Sequence, residues 1–447
     1  MIIRELRVTP IAFRDPPLLN ADGVHQPHVL RAVLELVVDD GRGGEVTGLG
    51  ECAGHAWQLD WLTLVGVHLA GIPVFDTAAV GRTVRALLSG RADGVDYGTA
   101  APWRRWADRT SPPESRGPAP IPAPAFDVRR VYAAIEVACL DAQGKLSGAP
   151  VVDLLGGRVR DTVPYSGYLF YKWERHPERD GAPDAGDAWG AALDPDGIVA
   201  QARRMVDRYG FRSLKLKGGV FPPDEEIAAV HALRAAFPGH PLRIDPNAAW
   251  TLETSLTAVR ALEGVLEYLE DPVAGVENMG ALAARTSIPL ATNMCVNSLE
   301  TMRPALDHGA VRIVLADHHY WGGLRGTAAL GDVCKAVGWG LSMHSNSHLG
   351  ISLAAMTHAA AATEDLAYAC DTHYPWNAED DVVAPGALTF ADGSVRVPPG
   401  PGLGVELDRA VLDRLHATYL DLGREHRHDT LYMRTVEPDF DPALPRW

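Results

Sequence analysis

From Val163 to His373 the chain alternates short apolar runs with segments that are each long enough for one helix. The runs are Val163–Tyr171, Ser213–Gly218, RIDPNAAW at Arg243–Trp250, YLEDP at Tyr268–Pro272, LATNM at Leu290–Met294, Arg312–Ala316, Gly340–Met343 and Leu366–Ala369. Strands that alternate with helical patterns give βαβ units and a parallel sheet. Eight such strands over about 210 residues match the count and size of a closed (β/α)8 barrel. The helix between the first two runs is explicit: Ile198, Ala202, Met205, Val206 and Tyr209 fall on one face. Nearly every run ends in a polar residue: Lys215 and Lys217, then Asp245, Glu270, Asn293, Asp317 and His344. In a parallel barrel the carboxyl ends of the strands share one mouth, so these side chains are expected to converge.

At 447 residues the chain is longer than such an array. Ile2–Phe13, Val29–Val38 and Val46–Cys52 read as an antiparallel meander, interrupted by a polar loop with Asn20, His25 and His28 and followed by helix over about 61–89. These form a small α+β unit. Ala101–Phe126 is proline-rich and reads as loop, because proline supplies neither a ladder donor nor a helix interior. Arg129–Gly148 is apolar at helical spacing and leads into the barrel. The polar stretch Lys172–Gly197 reads as an insertion over the mouth. The tail from Trp376 has strand-like pieces (Ala387–Phe390, Ser394–Val397) and a helix near Arg409–Leu420, and should return to the meander. Expected domains are therefore 1–128, an α+β cap; 129–375, the barrel; and 376–447, a segment that rejoins the cap.

A formal net charge of −16 argues against a nucleic-acid partner. Five scattered cysteines, none in a CxxC pair, indicate neither a disulfide framework nor a zinc knuckle. No apolar run is long enough to span a bilayer, and the strand-like start after Met1 does not read as a signal peptide. A cytoplasmic location is the expectation.

Asp245, Glu270 and Asn293 end successive strands. Three oxygen donors with room for water and substrate suit Mg2+. Each carboxylate could instead cap the following helix, but three in a row favour a metal. Glu277 is a rival second ligand; Glu270 is preferred because it ends its run directly. Lys215 and Lys217 share one face of a strand and should depress each other's pKa, which makes one a base; the plain alternative is a lysine-blunted edge strand. Asp317 and His344 end neighbouring strands, so the carboxylate would fix the imidazole tautomer. His318, His319, His348 and His358 read as structural. Two bases flanking a metal can remove a proton from either face of a carbon α to a carboxylate, after which a β-hydroxyl can be expelled.

These motifs resemble the enolase superfamily, and more closely its glucarate dehydratase group, over nearly the whole chain. The resemblance is carried by LKLKGG, IDPNAAW, EDP, ATNM, the aspartate of LADHHYW, MHSNSH and CDTH, with LLNADGVH and PGLGVE outside the barrel. It implies a (β/α)7β barrel under an α+β capping domain built from both chain ends, with Mg2+. It also implies a hydro-lyase that converts D-glucarate to 5-dehydro-4-deoxy-D-glucarate and can epimerise glucarate and idarate. On it, His344, oriented by Asp317, is the base for D-glucarate and the acid for the leaving hydroxide, and Lys217 is the opposite-face base. Lys215 and Asn247 steady the substrate carboxylate and the enediolate. Asn20, His25, Tyr168, Asn346, His373 and Arg427 match substrate-contacting positions. Asn293 in place of a third carboxylate suits a dianionic substrate, which an extra negative ligand would repel. Where the family has a substrate-contacting threonine before the barrel, Arg129 and Arg130 occupy the region instead.

The alternatives are another aldarate or aldonate, such as galactarate, or a non-catalytic acid-sugar binder on the same barrel. An amidohydrolase-type site would want an HxH pair on the first strand, and Pro164–Tyr171 has no histidine. A homo-oligomer is expected, of unspecified number.

Overall fold

The computed structural model of the protein describes residues 1–89, 123–177, 186–424 and 426–447, with side chains from Val128 onward in the second stretch. Most of the expected proline-rich loop, including Ser111–Pro122, and the middle of the 172–197 insertion lie outside the described residues.

Strands β1 (Ile3–Arg14), β4 (His28–Asp39) and β5 (Glu45–Ala53) form a three-stranded antiparallel sheet in the order β1-β4-β5. The loop between β1 and β4 folds into a tiny hairpin, β2 (Leu19–Asn20) and β3 (Gly23–Val24), which displays the Asn20–His25 region. Two helices follow, α1 (Ala56–Gly66) and α2 (Thr77–Leu88), where the sequence suggested one. The break contains Pro73, which cannot continue a helix, and Asp76, whose carboxylate accepts the Ala79 N–H to start α2 anew. Helix α3 (Ala123–Ser147) starts earlier than expected, inside the proline-rich stretch. It lies on the sheet so closely that a Cβ at Gly48 or Gly50 would meet the Ala138 or Ala134 carbonyl oxygen at 2.0 or 2.5 Å. Val131, Ala134, Ile135, Ala138, Cys139 and Ala142 bury against the strands in one core.

The barrel strands run β6 (Thr162–Phe170), β7 (Leu214–Lys217), β8 (Leu242–Asp245), β9 (Tyr268–Glu270), β10 (Leu290–Thr292), β11 (Ile313–Ala316), β12 (Gly340–Met343) and β13 (Cys370–Thr372). From β6 to β12 each strand pairs in parallel with the next, and β13 pairs in parallel with β6. Seven helices connect them: α4 (Pro195–Tyr209), α5 (Pro223–Ala236), α6 (Leu252–Leu262), α7 (Val276–Ala283), α8 (Leu299–Asp307), α9 (Leu324–Val337) and α10 (Gly350–Ala362). The architecture is thus a (β/α)7β barrel with an antiparallel capping unit. Local chemistry sets the boundaries. Asp194 accepts the Gly197 N–H ahead of Pro195 at the start of α4, and Gly210 ends it in a left-handed conformation (φ 71°).

The last strand differs from expectation. Leu366–Ala369 only brushes β12, through Leu366 and Leu341. Pairing begins at Cys370, which lies opposite Tyr165 of β6. Tyr368 is held back by its edge contact with Tyr268, 5.6 Å between rings. The shift matters, because it puts Asp371 inside the barrel and not in a loop above it.

The tail attaches at two places. β14 (Phe390–Ala391) and β15 (Ser394–Arg396) form a hairpin antiparallel to β6. Helix α11 (Arg409–Leu422) packs on β1, where His416 Nδ1 lies 2.7 Å from Pro10 O.

His358, read from sequence as structural, ties α10 to the tail. Its Nδ1 accepts the Val152 N–H at 3.2 Å and its Nε2–H donates to Leu403 O at 3.1 Å, a pattern only the neutral ring can make. Burial pushes its pKa down to about 4. A depressed histidine contributes stability that is present above the unfolded value of about 6.5 and lost as pH falls toward the folded value, roughly 3 kcal/mol in full. Denaturation midpoints are expected to fall between pH 6.5 and 4, with a shallower slope in His358→Gln; equal slopes would reject this assignment.

Candidate active site

Lys215 and Lys217 project from the same face of β7, opposite Arg243 and Asp245 of β8 in register. Their surroundings differ. Lys215 is fully buried, with Nζ 2.5 Å from Glu270 Oε2, 2.6 Å from Asp371 Oδ2 and 4.0 Å from Asp245 Oδ2. The Tyr168 ring lies 4.7 Å from the same Nζ. Burial alone would lower the pKa of Lys215, but Asp371, Glu270, Tyr168 and Asp245 outweigh it and hold the group well above the usual lysine range. The expectation of two mutually depressed lysines therefore fails at Lys215: the carboxylates dominate, and Asp371 was not counted. Lys217 keeps 13% of its side chain exposed, and its Nζ donates to Asp245 Oδ2 (2.6 Å) and Asn247 Oδ1 (2.9 Å). Of the two, only Lys217 opens to the mouth.

Asp245 is buried, and its Oδ1 accepts the Asn247 N–H (2.9 Å), which holds Asn247 at φ 59°. Tyr168 donates to Asp245 Oδ2 over 3.5 Å. Glu270 is fully buried, and its Oε1 has no hydrogen-bond partner among the described residues. Asn293, half-buried, follows β10. Glu277 stands exposed in the first turn of α7, outside this group. Two carboxylates and an amide, with one carboxylate oxygen left unpaired in the interior, fit a hard divalent cation such as Mg2+.

Asp271, next to Glu270, was not singled out from sequence. It sits at φ 38°, and its oxygens accept from Thr292 Oγ1 (2.5 Å) and the Asn293 N–H (3.0 Å), so it sets the turn that carries Asn293. Burial and the Asp245 charge push its pKa up to about 7. Asp271→Ala is expected to weaken Mg2+ binding by about 10- to 100-fold in calorimetric titration, the usual cost of losing a group that orients a ligand; unchanged affinity would remove this role.

On the opposite wall, His344 Nδ1 lies 3.0 Å from Asp317 Oδ2. Asp317 is buried; burial would raise its pKa, but His319 and His344 hold it well below the usual carboxylate range. With Nδ1 engaged by the carboxylate, Nε2 is the nitrogen left for chemistry. Tyr320 stacks on His344 at 6.1 Å, and its hydroxyl accepts from Asn346 Nδ2 at 3.4 Å. Asn346 itself is exposed.

The remaining predicted residues fall into two groups. His373, at the end of β13, packs against Tyr168 (4.8 Å) and Phe170 (5.3 Å), and its N–H donates to Ser345 Oγ (3.0 Å). Asn20 and His25 meet on the β2–β3 hairpin, Nδ2 to Nε2 at 3.0 Å, and His25 Nδ1 pairs with Asp15 (3.0 Å). Arg427 reaches the same Asp15 (2.7 Å) and also Asp429 (2.7 Å). Arg427 thus stands behind His25 and orients it through Asp15; its Nη2 alone is buried with no hydrogen-bond partner among the described residues. Phe170, missed in the sequence, joins the two groups: its ring is 6.2 Å from His25, 4.6 Å from Tyr168 and 5.3 Å from His373. It ends the first strand with an apolar side chain, so no charge marked it.

Residues 197–411 match the family model described as enolase C-terminal domain-like. A Streptomyces coelicolor protein named probable glucarate dehydratase is 50% identical, with 100% of this chain and 99% of that one covered. Among solved structures, an enolase from Mycobacterium smegmatis complexed with tartrate superposes with a TM-score of 0.89 at 53% identity, covering 100% of this chain and 98% of that one. An enolase from Thermobispora bispora complexed with magnesium and formate does so with a TM-score of 0.89 at 52% identity, over 100% of both. Full-length likeness at this identity, on a barrel whose strand ends carry these side chains, shows the relationship: the chain belongs to the enolase superfamily.

Proposed function

We propose that the protein is a Mg2+-dependent acid-sugar dehydratase that converts D-glucarate to 5-dehydro-4-deoxy-D-glucarate. The observation that carries the reading is one constellation: the His344–Asp317 pair and Lys217 at strand ends on either side of Asp245, Glu270 and Asn293. The likeness to a probable glucarate dehydratase supports the substrate class. So do the hydroxy-dicarboxylate tartrate in one related structure and magnesium in another.

Asp245, Glu270 and Asn293 would hold the metal, which when bound supplies the positive charge that makes the α-carbon acidic. His344 Nε2 takes the proton from C5, and the electron pair of that C–H bond passes to the adjacent carboxylate as an enediolate. The pair then returns to form the C4–C5 double bond as the C4–O bond breaks. His344 delivers its proton to the departing hydroxide, which leaves as water, and the enol becomes the ketone. Asp317 fixes the imidazole orientation and stabilises its charged form. Buried Lys215 holds Glu270 and Asp245 in place and lends its charge from below. Lys217, with Asn247, is placed for a substrate of opposite configuration at C5, such as L-idarate. Asn20, His25, Tyr168, Asn346, His373 and Arg427 would bind or border the sugar, with Arg427 acting mainly through Asp15.

The test is product NMR with purified protein and Mg2+ against D-glucarate, galactarate and several aldonates. Keto-deoxy product from D-glucarate first, and none after chelation, supports the proposal. Turnover of another acid sugar alone would remove the substrate and keep the chemistry; no turnover of any would favour an acid-sugar binder.

A further inference from the structure

Two strands of the capping sheet reach down to the dyad. Arg31 of β4 and Glu51 of β5 are both buried, and the Arg31 Nε–H donates to Glu51 Oε1 at 2.9 Å. Glu51 also accepts the Leu349 and Ser352 N–H groups, each at 2.9 Å, at the start of α10. The cap therefore grips the barrel loop that follows His344. From there a chain of contacts leads to the base. Arg31 Nη2 lies 3.4 Å from His319 Nε2 and 3.5 Å from Ser352 Oγ, and Ser352 Oγ is 3.2 Å from the same His319 nitrogen. On the other side of the ring, His319 Nδ1 lies 2.8 Å from Asp317 Oδ1, while Asp317 Oδ2 meets His344.

A guanidinium can only donate. The Arg31 contact therefore favours His319 Nε2 as an acceptor, with the ring neutral and its proton on Nδ1, aimed at Asp317. A second proton, on Nε2, would put another cation beside Arg31 and divide the Asp317 charge between two imidazolium rings. The other groups facing this cluster do not supply that charge. Burial holds His318, His348 and His373 well below the usual histidine range and raises the Tyr320 phenol. Further charged or titratable groups border it: Arg130 near Tyr320, Lys217 beyond His373, Asp381 on the Gly350 N–H beside Glu51, and His55 near Arg31 and Arg130, which burial pushes down to about 3.

We propose that Arg31 and Glu51 are positioning residues: they hold His319 as a neutral donor to Asp317, so that His344 alone is stabilised when it takes up the substrate proton. This rests on the reading of His344 as the base. It also makes the base dependent on the cap, because a barrel without its cap loses the group that keeps His319 uncharged.

The test is imidazole NMR on protein labelled in histidine, without substrate. In the wild type, His319 is expected to carry its proton on Nδ1 and none on Nε2. His319→Leu removes one donor from Asp317 and should move the His344 Nδ1–H resonance downfield, as its bond to Asp317 strengthens; His319→Asn restores a donor and should return it toward wild type. The double variant R31M/E51Q removes the ion pair without orphaning a charge. It should release His319 from the Nδ1 tautomer and move the His344 Nδ1–H resonance upfield. Where the protein turns over D-glucarate, the acidic limb of its rate profile should move with each shift. A wild-type His319 protonated on Nε2 overturns the proposal and requires no variant to fold. So does a His344 Nδ1–H resonance that stays in place in both the leucine and the double variant. Failure of turnover alone bears on the proposed reaction and leaves these NMR readouts standing.

Discussion

Replacing His344 with asparagine is expected to lower dehydration of D-glucarate by about 10^2- to 10^4-fold, the usual contribution of a positioned acid–base group. The loss should appear in kcat, because on the proposed mechanism the imidazole moves the reacting proton. Mg2+ affinity should stay within error, since His344 has no contact with Asp245, Glu270 or Asn293 among its hydrogen bonds. Exchange of the α-proton of L-idarate should survive, because Lys217 stands on the other wall and keeps its bonds to Asp245 and Asn247. A variant that dehydrates D-glucarate at the wild-type rate would assign the base elsewhere; one that loses exchange with both epimers would mean that a single group serves both faces.

The second large effect belongs to Lys215. It is a fully buried cation that touches Asp371 and Glu270 and stands near Asp245. Removing one partner of a buried ion cluster leaves uncompensated charge and costs about 3–5 kcal/mol. Lys215→Met is therefore expected to lose about that much stability in urea at neutral pH without metal. It should also gain more stabilisation from added Mg2+ than the wild type does, since the cation would then be the main positive charge beside the carboxylates. An unchanged urea midpoint would show that the three acids are not held by this lysine.

What the sequence reveals here follows from locality. Each barrel strand is short, buried and finished by one polar residue, so Lys217, Asp245, Glu270, Asn293, Asp317 and His344 can be read from a few neighbours each. The residues that hold them in place cannot. Asp371 lies 156 positions from the Lys215 it pairs with, and Arg427 lies 412 from Asp15. His319 looks like one more structural histidine until the cap brings Arg31 against it, across 288 positions. Asp271 was overlooked because its side chain points at the turn after β10 and not at the mouth. The last strand was displaced because apolar Leu366–Ala369 fits a strand as well as Cys370–Thr372 does, and only pairing with β6 decides between them. Lys215 shows the same limit in its charge state: two lysines one residue apart suggest mutual depression, and three acids from other strands reverse it.

The most direct measurement is dehydration of D-glucarate by the wild-type protein with Mg2+ in D2O, followed by NMR of the product. If a proton leaves C5, hydroxide leaves C4 and the resulting enol is protonated from solvent, the product must carry one deuterium, at C4, and none at C2 or C3. A keto-deoxy product with only protium at C4 would mean that hydrogen moves within the substrate and would contradict abstraction by His344 followed by elimination. Absence of any product or exchange with D-glucarate, in protein shown by calorimetry to bind Mg2+, would contradict the account of the reaction itself.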